Sequence, residues 1–432
     1  MSAISHAPAT WPAQPDHTDF SEALIRHNLL RESLFSLFNG FFMGMILFAA
    51  PAIAATCFEV DTLTRMAYVT VITCAFPCGA FLGPLWAAWG RRVGMHQLVV
   101  QTALLANLPL FALFWVENGA LFTAIITLAQ LFHSGMRMGQ SSTYYCTYPR
   151  SLFGRVLGTL IFWNYLGMVL AALLAGVVSS QDVRSYQWLY PLAGLCGLVA
   201  CVFYGQLRLL RQPMVGRPGS WRTGWQRLRQ VMQQDRRFRY FEIAFFLSGS
   251  AFFVSWGVSI VLAHERLGWD TASITLWMTV VPQLVLALTS PIWGYVLDRI
   301  GIVRTRLLIA IVMTGYLACY LGGLVWLAPA LMYVGSVLRG VSEGGGQVTW
   351  ALASVQFAPA PDDIPTYNGI HFILNGLRGL LMPWLGKWLA LASAGMPLGL
   401  SVLISALAVV VICWSLRWEP PTPHSSQMPH HG

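Results

Sequence analysis

Residues 294–304 read GYVLDRIGIVR, and residues 83–92 read GPLWAAWGRR. Each follows a long apolar run, and each is a glycine-punctuated turn that carries arginine. Aligned on Gly83 with Gly294 and Gly90 with Gly301, the segments lie 211 residues apart, about half of the 432-residue chain. A further echo sets Gly139-Gln140 against Gly346-Gln347. The chain therefore reads as two like halves.

Working outward, apolar runs fall at about 33–57, 67–86, 96–116, 121–146, 156–180 and 187–207, then at about 240–263, 273–296, 306–327, 329–353, 367–391 and 396–417. Composition agrees: 56% of residues are apolar and 10% charged, whereas a soluble domain carries roughly a quarter charged residues. The expected fold is an all-α polytopic membrane protein with twelve transmembrane helices in two six-helix bundles. Its parts are an N-terminal segment (1–30), a first bundle (31–207), a basic linker (208–238), a second bundle (239–418) and a tail (419–432). The first 27 residues contain Asp16, Asp19 and Glu22 and no short apolar core, so a cleaved signal peptide is not expected.

The net charge is +9, and Lys387 is the one basic residue that is not arginine. The arginines cluster between apolar runs, which makes them an orientation signal rather than a nucleic-acid surface. Arg26, Arg31, Arg91, Arg92, Arg150, Arg155, Arg299, Arg304, Arg306, Arg417 and the 208–239 cluster fall on one side. Arg65, Arg184 and Arg266 fall on the other. Both termini are expected in the cytoplasm, in a multi-pass protein of the inner membrane. In the linker, Trp221, Trp225, Leu228 and Val231 recur at helical spacing among arginines, as in a helix lying on an anionic leaflet; a solvated tether is the other reading. His424, His430 and His431 lie in a Pro- and His-rich tail that reads as a disordered end. The cysteines have no metal-ligand spacing, so neither a metal site nor a cofactor is expected.

Repeated halves mark many secondary transporters, which place a substrate site between them. The stretch Gly294, Asp298, Arg299, Gly301 and Arg304 resembles the loop signature of the major facilitator superfamily. The resemblance implies twelve spans, a long central loop and gating turns after the second and eighth helices. By the same resemblance Gly83, Gly90, Arg91 and Arg92 form the matching turn, with Ala87 and Ala88 at the Asp and Arg positions. The stretch from Tyr367 through His371, Gly376, Arg378 and Pro383 to Gly386 resembles a bacterial subgroup of unassigned substrate.

Ionisable residues inside apolar runs are costly, about 2.5–3.5 kcal/mol each on insertion scales. The fourth run carries His133 and Arg137, the tenth Arg339 and Glu343, the eleventh His371 and Arg378. Each pair shares a helix face. The resemblance implies that the first, fourth, seventh and tenth helices line a central cavity, with the eleventh beside them. Three arginines against one glutamate favour an anionic or zwitterionic solute, since a guanidinium matches carboxylate or phosphate. The bland reading is that these arginines satisfy backbone carbonyls and lock packing. Glu343 is the candidate for proton coupling, and His133 and His371 titrate in a useful range. Ser36, Asn39, Ser248, Ser250, Ser255 and Trp256 are weaker candidates for substrate contact, and Gly344-Gly345-Gly346 would loosen the tenth helix.

No nucleotide-binding loop, zinc-protease motif or nucleophile elbow is present, so neither an ATP-driven pump nor an enzyme is expected. The expected function is secondary active transport of a small anionic or zwitterionic solute, with protons as a candidate coupling ion, the lipid bilayer as surroundings and a monomeric state. A proton-coupled drug exporter and a transport-inactive receptor or accessory protein are the alternatives. The fifth run lacks the Gly-Pro signature of drug antiporters that it would otherwise resemble.

Overall fold

A computed structural model describes residues 21–148, 152–209, 229–357 and 364–418. The expected interfacial helix of the linker, apart from its last turn, and the histidine tail lie outside the described residues.

Among the described residues, twelve long helices and no strand form the two bundles. The first bundle contains α1 (Glu22–Thr56), α2 (Thr62–Phe81, continued after Leu82 by Gly83–Val93), α3 (Met95–Trp115), α4 (Gly119–Thr147), α5 (Phe153–Gln181) and α6 (Val183–Gly205). The second contains α7 (Arg236–Leu267), α8 (Thr271–Thr275, Leu276–Val280 and Val281–Ile300 in succession), α9 (Ile302–Val325), α10 (Pro329–Phe357), α11 (Ile364–Ala392) and α12 (Met396–Trp418). Ten of the helices are long and apolar enough to cross a membrane. The other two, α10 and α11, are the ones that carry Arg339, Glu343, His371 and Arg378.

Helix α1 starts well before its apolar run because its polar first turns have partners. Ser21 caps it by accepting from the Leu24 amide, and Asn28 exchanges two 3.0 Å hydrogen bonds with the Arg208 backbone beyond α6. Helix α7 likewise begins inside the expected linker. Asp235 caps it at Phe238 N and also accepts from the Tyr367 hydroxyl on α11. Helix α1 crosses α5 with backbones in contact: a Cβ on Gly40 would collide with the Asn164 carbonyl, and one on Gly167 with that of Leu37.

The structure corrects the register of the internal repeat. Gly94 (φ 89°) and Gly301 (φ 78°) end one helix and begin the next, in a region that only glycine occupies cheaply. Gly83 and Gly90 instead lie within the helix Gly83–Val93. The true offset is 207, which pairs positions 94 with 301, 84 with 291, 86 with 293 and 139 with 346. Trp86 and Trp293, matched this way, both spend their indole N–H on a backbone carbonyl, of Gly79 and Val341. On this register Arg91 and Arg92, not Ala87 and Ala88, stand opposite Asp298 and Arg299. A glycine-based alignment slipped by one helical turn because Gly90 sits four residues before the glycine that the turn requires.

The apolar packing shows which ends of the bundles meet. One buried cluster joins Met45, Ile46 and Ile53 of α1 to Val261 and Leu262 of α7 and Trp277 of α8, at the end away from the arginine turns. At the arginine-rich end each bundle has its own cluster, around Phe35, Met136 and Tyr204 in the first and Phe238, Phe241 and Leu297 in the second. The halves share one cluster at the first, sealed end and have separate clusters at the other, where α11 still packs on α2 through Gly376 against Phe81 and Gly379 against Pro77. Trp115, Trp188 and Trp326 stand 76%, 68% and 73% exposed at the sealed end, where amphipathic rings suit a membrane interface.

Candidate functional site

Arg339 and Glu343 lie one turn apart on α10 and form an ion pair, Nε to Oε1 at 2.7 Å. The arginine side chain is 1% exposed and the glutamate 21%, so the pair is a buried cation with its counter-ion turned toward the opening. Arg339 also reaches α8: Nη1 donates to the Met278 carbonyl at 3.1 Å and touches its sulfur at 2.7 Å. Met278 belongs to the π-helical turn Leu276–Val280. Such a turn disturbs the helix's own hydrogen bonding and presents this carbonyl to Arg339. The guanidinium lies over the Phe252 ring at 5.4 Å, and Nη2 is buried with no partner.

In the first bundle, Arg137 on α4 is exposed, with Met136 buried and Met138 half-buried beside it, and Nη1 reaches Gln140 Oε1 at 3.3 Å. Tyr165 on α5 is half-buried, within electrostatic reach of both Glu343 and Arg137. In the corrected register Arg137 is the counterpart of Gly344, the residue after Glu343, so opposite charges project at matching depth from α4 and α10.

His133 is one turn nearer the sealed end than Arg137, and that turn decides its surroundings. It is fully buried, between the rings of Phe42 at 5.4 Å and Phe76 at 5.8 Å, with neither ring nitrogen partnered. Ser36 and Asn39 are also buried in packing. Ser248 and Ser255 donate back to Ala244 and Ala251.

His371 and Arg378 turn toward α7 and α9 within the second bundle. His371 Nδ1 pairs with Glu242 Oε1 at 2.9 Å. Arg378 donates to the Phe245 carbonyl and, through Nη2, to Asn375 Oδ1 at 2.7 Å. Arg378 and Arg306 both lie over the Phe245 ring, at 4.5 and 4.4 Å. Gly249 leaves room for the Arg378 guanidinium, which any Cβ there would strike. Glu242 is absent from the sequence reading, and Arg306 stands there only among the orientation arginines. Glu242, the only acidic residue between 240 and 263, was a legible signal, whereas Arg306 passed as an orientation charge. Glu32 on α1, 1% exposed and hydrogen-bonded to Tyr148, was likewise unread.

Of the turn residues, Arg92, Arg299 and Arg304 are exposed, with Arg299 over the Tyr295 ring at 4.2 Å. The side chains of Arg91 and Asp298 lie outside the described residues. The sealed end has its own polar links between bundles. Arg65 pairs with Glu265 at 2.8 Å, and the hydroxyls of Thr56 and Thr271 meet at 2.6 Å.

Two helical bundles of long apolar helices related by an internal repeat, sharing a core at one end and carrying charges on α4 and α10, define a multi-pass membrane protein of the two-bundle type. Residues 241–430 match the family model described as Major Facilitator Superfamily. The match to that family lies in the second half of the chain, and the likeness of fold to solved structures extends over nearly all of its length. A crystal structure of a mutant nucleoside transporter NupG superposes with a TM-score of 0.67 at 12% identity, covering 90% of this chain and 99% of that one. The human organic anion transporter MFSD10 (TETRAN) gives 0.67 at 14% identity, with 90% and 99% covered. A D-xylose–proton symporter gives 0.62 at 14%, with 90% and 97% covered. No curated protein sequence matches the chain significantly.

Proposed function

We propose that this chain is a secondary active transporter that carries a small anionic or zwitterionic solute across the cytoplasmic membrane by alternating access, coupled to protons through Glu343. The arginine asymmetry supports a cytoplasmic location for both termini, for the 208–238 segment and for the open end of the cleft. The observation that carries the reading is the Arg339–Glu343 pair: a buried guanidinium with one nitrogen unpartnered, held by a carboxylate that faces the cleft, opposite Arg137.

This arrangement makes an exchange of partners favourable. While Glu343 is ionised, Arg339 is satisfied and its charge is neutralised. A proton on Glu343 frees the guanidinium for a solute carboxylate, because a buried arginine left without a counter-ion is costly. Loss of the solute on the far side restores the pair and returns the proton. Arg137, exposed in the cleft, draws the anion in.

Thermal stabilisation of the purified protein by organic anions, amino acids and cationic drugs identifies the solute class, since ligands of the native state raise the melting temperature by mass action. With a stabilising anion in proteoliposomes, Glu343→Gln should retain exchange and lose accumulation driven by a pH gradient. Stabilisation by lipophilic cations alone, or accumulation that survives Glu343→Gln, overturns the proposal.

A further inference from the structure

Beside Arg339, the second bundle contains a small cavity of about 10 Å³ among α7, α8, α9 and α10, lined by Phe252, Ser255, Trp256, Ser259, Met278, Tyr316, Tyr320 and Arg339. Two N–H donors on this lining are buried without a partner, Arg339 Nη2 and Trp256 Nε1. Both Ser255 and Ser259 turn their hydroxyls back onto their own helix, donating to Ala251 and Ser255 carbonyls at 3.0 and 2.7 Å. What remains is a small cavity with these two N–H donors, the Tyr320 hydroxyl, which is likewise buried without a partner, no carboxylate but Glu343 at its edge, and walls of aromatic rings. The Trp256 ring stacks on Phe252 at 5.4 Å and meets Phe48 of α1 at 6.1 Å, so this wall continues to the seam between bundles.

We infer that this cleft is the solute subsite and that it selects a monocarboxylate with a flat aromatic body; the inference rests on the anion-transport reading above. Unpaired buried donors cost about 1–3 kcal/mol each until an acceptor arrives, and a carboxylate offers two acceptor oxygens to the guanidinium and the indole N–H. The cavity as it stands holds about one water-sized group. Only the charged head enters, taking the place that Glu343 vacates, while the body of the solute rests on the Trp256 and Phe252 faces. Offset or edge-to-face ring contacts favour an aromatic body over an aliphatic one of equal charge. A second carboxylate or a phosphate would add charge that the aromatic walls cannot pair.

The test uses the purified full chain and five probes: benzoate, acetate, succinate, inorganic phosphate and benzylamine. Benzoate should raise the melting temperature and quench tryptophan fluorescence, with acetate at least about tenfold weaker, as expected where ring contacts add about 1.4 kcal/mol. Trp256→Phe should remove most of the quench and weaken benzoate about five- to tenfold while barely changing acetate. Arg339→Lys, which keeps the charge but loses the planar fork, should weaken both. Should Arg339→Lys fail to fold, Trp256→Phe still decides. Equal binding of benzoate and acetate, no benzoate effect at all, or an unchanged benzoate response in Trp256→Phe overturns the subsite. Stabilisation by succinate or phosphate alone rejects the aromatic monocarboxylate and leaves anion transport standing; stabilisation by benzylamine alone rejects both.

Discussion

The two bundles share a fold and differ in how they treat charge. In the first, the buried polar groups are mostly neutral, Glu32 being the buried acidic residue among those described: Gln130 bridges the Phe76 amide and the Ile46 carbonyl, and His133 sits between phenyl rings. In the second, Arg339, Glu343, Glu242, His371, Arg306 and Arg378 form two buried charge clusters across α7 to α11. The family model also matches within this second half. Duplication supplies equivalent helices, but each position then answers to its own neighbours. Arg339 is tolerated because the π turn of α8 offers a carbonyl, and its counterpart on α4 is an apolar phenylalanine.

The sharpest way to break this comparison is to make one substitution in both bundles. His371→Leu strands Glu242 among buried groups and should cost about 3–5 kcal/mol, lowering the denaturation midpoint and the folded yield. His133→Leu removes a buried ring with no hydrogen-bond partner and should be neutral or stabilising by about 1 kcal/mol. Equal costs would show that the first bundle's histidine has a role that its surroundings do not reveal.

A smaller effect sharpens the register of the repeat. Gly94→Ala and Gly301→Ala each force a side chain into a strained backbone region and should cost about 1–3 kcal/mol. Gly90→Ala meets the flexible end of Met95, 2.6 Å from the added carbon, and a Leu98 methyl at 3.2 Å, and should cost less than about 1 kcal/mol. If Gly90 proves as sensitive as Gly301, the 207-residue offset is wrong.

The smallest effect concerns where the bundles meet. Arg65 and Glu265 are 16% and 23% exposed, so their pair contributes about 0.2–1 kcal/mol. Arg65→Ala should therefore shift the population toward an outward-open form by about 1.4- to fivefold, read as longer spin-label distances between the sealed ends of α2 and α7. Unchanged distances would assign closure of that end to apolar packing alone.

Much of this protein is legible in one dimension. Apolar runs long enough to span a bilayer determine the helices, because lipid offers no partner for a free peptide group. The half-length repeat divides them into bundles. Arg339 and Glu343 were readable as a pair because a four-residue spacing places both on one helical face. Spacing along a helix does not say what stands opposite. Only the tertiary structure separates His133 from Arg137, one turn apart, into a dry aromatic pocket and an open cleft. It alone turns Arg378 toward Glu242 and Arg306, and exposes the slipped alignment through the two glycines that the turns require. Hydrophobicity is a property of the segment and survives in sequence; pairing of buried charge depends on neighbours brought together from distant helices.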